Sequence, residues 1–159
     1  MAKKIELTQG KHAIVDDENY EYLVKHKWYA RKDGNNYYAV RKQTDGTKQK
    51  NIYMHRVVTN APKGKKVDHI NNDGLDNRKE NLRICNHFEN MWNSRMPKNN
   101  TSGFKGVVWN KRTRKWKAKI RVNNKEIHIG SFSDKIQAAI AYDKKAHELH
   151  GEFANVNFQ

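Results

Sequence analysis

From Lys115 to Val122 the chain alternates without a break, Lys-Trp-Lys-Ala-Lys-Ile-Arg-Val. A period of two places Trp116, Ala118, Ile120 and Val122 on one side of an extended strand and Lys117, Lys119 and Arg121 on the other. The apolar side then needs cover and the strand needs neighbours. Lys105 to Trp109 and Lys125 to Ile129 read as partner strands, and Asp134 to His150, stopped by Gly151, reads as a helix. The basic side differs from an ordinary solvated face, which mixes signs, because Lys105 to Lys125 contains no acidic residue. A three-stranded sheet has about the width of a DNA major groove.

The charge balance of the whole chain agrees with that face. Against 32 Lys and Arg stand 17 Asp and Glu, a formal charge of +15, so a polyanionic partner is expected. Nucleic acid is preferred to a membrane, because no apolar run approaches the roughly 20 residues of a spanning helix. The opening MAKKIELTQGKH lacks the apolar stretch of a signal peptide, which gives a cytoplasmic expectation. With 159 residues, of which 36% are apolar, the chain suits small modules anchored by its four Trp, seven Tyr and five Phe, and a large multidomain enzyme is excluded. The single cysteine, Cys85, rules out a disulfide framework and a Cys-rich zinc site.

Upstream, residues 1–51 carry short alternating runs and read as a β-rich region. Ile5 to Thr8, Ala13 to Val15, Tyr37 to Arg41 and Asn51 to His55 have strand composition, Asp33-Gly34 and Asp45-Gly46 are turn signals, and Glu21 to Trp28 suits a short helix. The polar stretch 94–101, with Pro97, is the expected linker, and no internal repeat is present. A helix is expected to open at Asn86, with Glu89 three residues on in a variant of the capping box.

The densest chemistry lies between Val67 and Arg83, in Asp68-His69-Ile70-Asn71-Asn72-Asp73-Gly74 and its continuation to Glu80-Asn81-Leu82-Arg83. An aspartate beside a histidine puts a hard oxygen donor next to a group that titrates near 6.5, the pair needed to hold a divalent cation and deprotonate water. On composition alone the same residues also suit an Asx-turn loop that satisfies its own backbone. A calcium loop fits poorly, since His69 would take its first ligand position and Asp76 a place that is usually apolar. A zinc site from Cys85 and His87 lacks correctly spaced ligand pairs.

The order Asp68-His69, then Asn81 within Glu80-Asn81-Leu82-Arg83, then Asn90 resembles the HNH nuclease motif in its homing-endonuclease form. Upstream, Tyr53-Met54-His55-Arg56-Val57-Val58 is similar to that family's apolar-His-Arg-Leu segment, taken as a strand. The resemblance covers residues 52–93 and implies a ββα-metal module: His69 as general base, Asp68 and Asn90 as ligands to Mg²⁺ or Mn²⁺, and Asn81 bracing the loop. An asparagine within a helix is disfavoured against alanine by roughly 0.6 kcal/mol, and Asn90 would offset that cost as a ligand. By itself it reads as a solvated position. His55 stands outside the core assignment.

Residues 102–159 resemble the AP2/ERF (ethylene-response-factor) type of DNA-binding domain. The resemblance rests on Gly-Phe-Lys-Gly-Val at 103–107, Trp116 to Arg121, Ile129-Gly130-Ser131-Phe132, Gln137 to Asp143 and the closing Asn157-Phe158. It implies double-stranded DNA as partner, with Lys105, Lys119, Arg121 and His128 at the groove and Trp109, Arg112 and Lys117 nearby, and a helix that backs the sheet with Ile136, Ala139, Ile140 and Leu149 turned inward. Val108, Lys119 and Glu126 depart from the plant pattern, so the plant target sequence does not transfer.

The expected whole is an α+β protein: the β-rich region, the ββα-metal module and a three-stranded antiparallel sheet packed on one helix. Its expected activity is metal-dependent cleavage of DNA at a site chosen by the C-terminal domain, with no membrane and no obligate protein partner. The alternative is a sequence-specific DNA-binding regulator whose HNH module is not catalytic.

Overall fold

In the computed structural model, which describes residues 1–158, the chain is mixed α/β and strand-rich. Its contacts group into two units that meet between His87 and Phe88.

In the first unit, β1 (Ala2–Glu6) and β2 (His12–Asp16) form an antiparallel hairpin. Residues 7–11 make its turn, closed by Leu7 N–H donating to Lys11 O at 2.8 Å, so Leu7 and Thr8, expected in the strand, lie outside it. The helix expected at 21–28 is α1 (Asp17–Leu23), four residues earlier. Asp17 and Glu18 complement the dipole in its first turn, and the indole N–H of Trp28 donates to Leu23 O at 2.8 Å at its end. A strand without a sequence signal follows, β3 (Tyr29–Asp33), and pairs with β4 (Asn36–Asp45), which pairs in turn with β5 (Lys48–Tyr53).

The segment expected as a strand at 53–58 is instead a helix, α2 (Met54–Thr59). Its valines favour strands locally, but Met54, Val57 and Val58 recur at helical spacing and pack on a core of Ile5, Ala13, Val15, Leu23, Trp28 and Ala39. Asn60, with φ of 49°, ends the helix, and the Arg56 guanidinium binds the carbonyls of Ala61, Pro62 and Lys65. Next, β6 (Lys66–His69) and β7 (Leu82–Cys85) form an antiparallel pair on either side of the loop 70–81, and α3 (His87–Trp92) follows.

In the second unit, β8 (Val107–Asn110), β9 (Lys115–Val122) and β10 (Lys125–Phe132) form an antiparallel sheet with β9 central. The helix α4 (Lys135–His150) is capped by Asp134, whose carboxylate accepts from the amides of Ile136 and Gln137. Its buried residues include Ala138, Ala139, Tyr142 and Ala146, which share clusters with Val107, Ala118 and Ile120. Ile136 and Ile140, expected to face inward, are 47% and 49% exposed. The alanines permit closer approach than isoleucines would. Gly106, with φ of 75°, lies so near that a Cβ there would overlap the Tyr142 ring and sit 2.8 Å from Lys119 O. Within this unit the stretch expected as a linker is tied down at its start, where Lys105 Nζ donates to Trp92 O and Ser94 O, and Asn155 Nδ2 to Asn93 O.

Candidate active site

Asp68 and His69 are the last two residues of β6, where the register sets Asp68 opposite Arg83 and His69 opposite Leu82. The Arg83 guanidinium donates to one carboxylate oxygen of Asp68 from Nε at 2.9 Å and from a terminal nitrogen at 2.8 Å. Their side chains are 12% and 7% exposed, so this is a buried ion pair. Breaking such a pair leaves a buried charge uncompensated, which costs about 3–5 kcal/mol. Arg83→Ala is therefore expected to destabilise the protein by roughly 3 kcal/mol, read as a lower midpoint in urea unfolding. An unchanged midpoint would remove Arg83 from the site.

The loop 70–81 bends the chain directly after His69 and is organised by Asn81. Its side-chain oxygen accepts from Asn71 N–H at 3.0 Å, and its amide donates to Asn71 Oδ1 at 3.0 Å and Asp76 O at 2.8 Å. Asp76 is also held, bidentately, by Arg78 at 2.8 and 2.7 Å, which keeps its carboxyl below the usual carboxylate range. The Asx turns that composition allowed are present as well, with Asn71 Oδ1 accepting from Asp73 N–H and Asp73 Oδ1 from Leu75 N–H. They serve the same loop that delivers His69.

The β-rich region grips this loop. Ile14 donates to Leu75 O at 2.8 Å and accepts from Asn77 N–H at 2.7 Å, and Asp16 Oδ2 accepts from Lys79 N–H at 2.7 Å. Asn36 donates from its side chain to Asn72 O at 2.9 Å. From β4, the Tyr38 ring reaches within 5.8 Å of His69, and His55 on α2 lies edge-on to His69 at 5.1 Å and 89°. Tyr53 completes the cluster 5.3 Å from His55. Burial pushes His69 below the ordinary histidine value, although Asn77, Asp68, Asp73 and Asp76 all oppose the shift. Burial, reinforced by His69 and Arg56, holds His55 down to about 3, so that ring is neutral.

The structure thus brings Asp68, His69 and Asn81 together in the first unit, while Asn90 sits half-buried on α3 among the residues of the second. Sequence reasoning missed Arg83 and Tyr38. Arg83 had a signal, since a hairpin closing on 70–81 sets it opposite Asp68. Tyr38 had none, because its approach depends on how β4 meets the loop.

In the second unit Lys117, Lys119 and Arg121 lie on the outer face of β9, with Ser131, His128 and Glu126 as their cross-strand partners. Glu126 pairs with Lys119 at 2.7 Å and approaches Lys117 at 3.8 Å, so the basic face has one acid at its centre. Trp109 pairs across the sheet with Trp116 on the opposite face, their rings 4.9 Å apart, and Arg112 is exposed in the following turn. Burial pushes the Lys105 ammonium down to about 8.

Residues 53–92 match the family model described as HNH endonuclease. Protein 3.8 of Escherichia phage T7 is 37% identical over 93 residues, covering 58% of this chain and 76% of that protein. An uncharacterized HNH endonuclease of Acanthamoeba polyphaga mimivirus is 29% identical over 151 residues, 94% of this chain and 76% of its own length. The APETALA2-like protein 2 of Oryza sativa is 34% identical over 64 residues, which are 40% of this chain and 15% of the plant protein. With the Asp68-His69 hairpin and the Asn81-braced loop lying inside the matched span, the chain belongs to the HNH endonuclease family and carries an AP2-like domain.

Proposed function

We propose that the protein is a metal-dependent endonuclease that hydrolyses a phosphodiester bond of double-stranded DNA at a site selected by its C-terminal domain. The observation that carries this reading is the buried Asp68-His69 pair, fixed on one side by Arg83 and on the other by the loop that Asn81 braces. Asp68 and Asn90 offer a carboxylate and an amide oxygen, the hard donors that suit Mg²⁺ or Mn²⁺. Among the described residues no group of three His, Cys, Asp or Glu forms a metal cluster. Such a sparse oxygen set would suit a hard cation held by Asp68 and Asn90 with its remaining positions filled from outside the protein. When bound, the cation stabilises charge on the phosphate.

His69, kept neutral by burial, accepts a proton from the attacking water as the new O–P bond forms. The P–O3′ bond breaks in line with it, and the departing O3′ takes a proton from a solvent water, leaving a 5′-phosphate and a 3′-hydroxyl. Tyr38 and His55 hold the imidazole from two sides, and Asn81 holds the loop that follows it. In the C-terminal domain Lys117, Lys119, Arg121 and His128 face the groove, with Arg112 at its margin, while Trp109 supports the sheet from the opposite face. Lys105 gives two of its three N–H groups to carbonyls and retains one for phosphate.

Nicking of a supercoiled plasmid is expected with Mg²⁺ or Mn²⁺ and is expected to stop with EDTA. Asp68→Ala and Asn90→Ala should each raise the metal concentration for half-maximal rate, Asp68→Ala more because it removes charge. Persistent nicking in EDTA, or unchanged metal curves in both variants, would overturn the metal assignment, and failure to nick at all would favour the regulator. The pH profile is a separate check. Because the His69 value is lowered, its neutral form persists below pH 6.5, and the acid limb of the cleavage rate is expected below that value. A limb at or above it would place the base elsewhere.

A further inference from the structure

Strands β4 and β5 run on together after β3 has ended. β3 pairs with β4 only as far as Val40, whereas β4 and β5 remain paired from Arg41↔Ile52 to Asp45↔Lys48. Five further residue pairs, at about 3.4 Å each, make a two-stranded ribbon roughly 17 Å long. Residues 42–51 are all exposed, and none of residues 41–52 enters the core of the first unit. An isolated two-stranded ribbon is marginal in water, so this one adds little to the stability of the fold.

Its composition is selective. The ribbon carries Arg41, Lys42, Lys48 and Lys50 against the single acid Asp45, which lies 3.6 Å from Lys50. Between the cations stand Gln43, Thr44, Gln49 and Asn51, and Ile52 at the base is the only large apolar side chain. Lysines alone would suffice to keep an edge strand from pairing with another chain. Glutamine and asparagine set among them add the donor and acceptor pairs that read adenine edges in a major groove, which is wide enough for a two-stranded ribbon. The ribbon's base is also the site's margin: β5 ends at Tyr53, and His55, two residues on, touches His69.

We propose that the Arg41–Ile52 ribbon is a second DNA-reading element, lying in the major groove about five base pairs from the bond that is cut. Thr44 and Gln49, cross-strand partners on the face that also carries Lys42 and Asn51, would contact base edges, and Lys42, Lys48 and Lys50 would contact phosphates. This rests on the DNA-endonuclease reading for the position of the cut, but not for the contact itself. The C-terminal sheet would then supply one part of the recognised sequence and the ribbon another, next to the cleavage site.

The test uses the full chain and its cleaved duplex, held uncut in EDTA. The triple variant Lys42→Ala, Lys48→Ala, Lys50→Ala touches only exposed positions, and an unchanged thermal melt verifies its fold. Removing three phosphate contacts is expected to reduce the slope of log affinity against log salt by about 2–3, near 0.9 per contact, and to weaken binding at least about tenfold in moderate salt. Replacing adenine by 7-deaza-adenine within about six base pairs of the cut, which removes the N7 acceptor, is expected to weaken wild-type binding and to lose its effect in Gln49→Ala. An unchanged salt slope overturns the proposal, and a changed slope with no effect of the N7 replacement overturns the groove assignment. A protein that never cleaves but binds a random duplex with a ribbon-dependent slope refutes the nuclease reading and supports the contact.

Discussion

His69→Ala is expected to lower the cleavage rate by about 10²–10⁴-fold, the usual contribution of a positioned general base. Affinity for uncut DNA should stay within a few-fold, because the proton transfer stabilises the transition state and not the bound ground state. The measurement is single-turnover cleavage beside equilibrium binding in EDTA. His55 makes the test sharp, since a second imidazole lies 5.1 Å away. Burial holds His55 neutral and the ring contacts pack it against His69, so His55→Ala should cost less than His69→Ala while His55→Phe, which keeps a ring there, recovers most of the loss. Retention of activity by His69→Ala, with loss in His55→Ala, would reassign the base.

The second large effect concerns stability. At Gly74 a methyl group would collide with the Tyr37 carbonyl oxygen and would sit 2.6 and 2.7 Å from two carbons of the Tyr38 ring. Overfilling a packed site costs about 1–3 kcal/mol, and the upper end is expected here because one obstacle is backbone that cannot swing aside. Gly74→Ala is therefore expected to destabilise the protein by about 3 kcal/mol. Cleavage should also suffer at temperatures where the variant remains folded, because Tyr38 is the bridge from this glycine to His69. Urea unfolding and the cleavage rate check the two halves. A variant with the wild-type midpoint would mean that the loop does not lie against β4.

Much of this molecule was readable from local pattern. The alternation at Lys115 to Val122 is β9 with the expected faces, Ala13 to Val15 lies within β2, and Asp134 and Gly151 bracket α4. Where reading failed, a local preference met a distant requirement. Val57 and Val58 favour a strand by themselves, yet the core formed by β1, β2 and α1 is filled by a helix presenting Met54, Val57 and Val58 together. Ile136 and Ile140 are larger and more apolar than Ala138 and Ala139, but the close approach of Gly106 to Tyr142 leaves room only for the alanines.

By itself the sequence determined the family of the motif, because residue order and spacing along 53–92 are enough to identify it. It also determined the basic strand face, because a period of two is a property of a single strand. Only the tertiary structure decided what surrounds His69. Arg83 against Asp68, Tyr38 and His55 against the imidazole, and Ile14 against the loop come from segments up to 63 residues distant from their partners, as with Asp16 and Lys79. Such contacts are set by cross-strand register and by the docking of a loop on a sheet, which depend on the whole unit folding at once and leave little trace in any one segment.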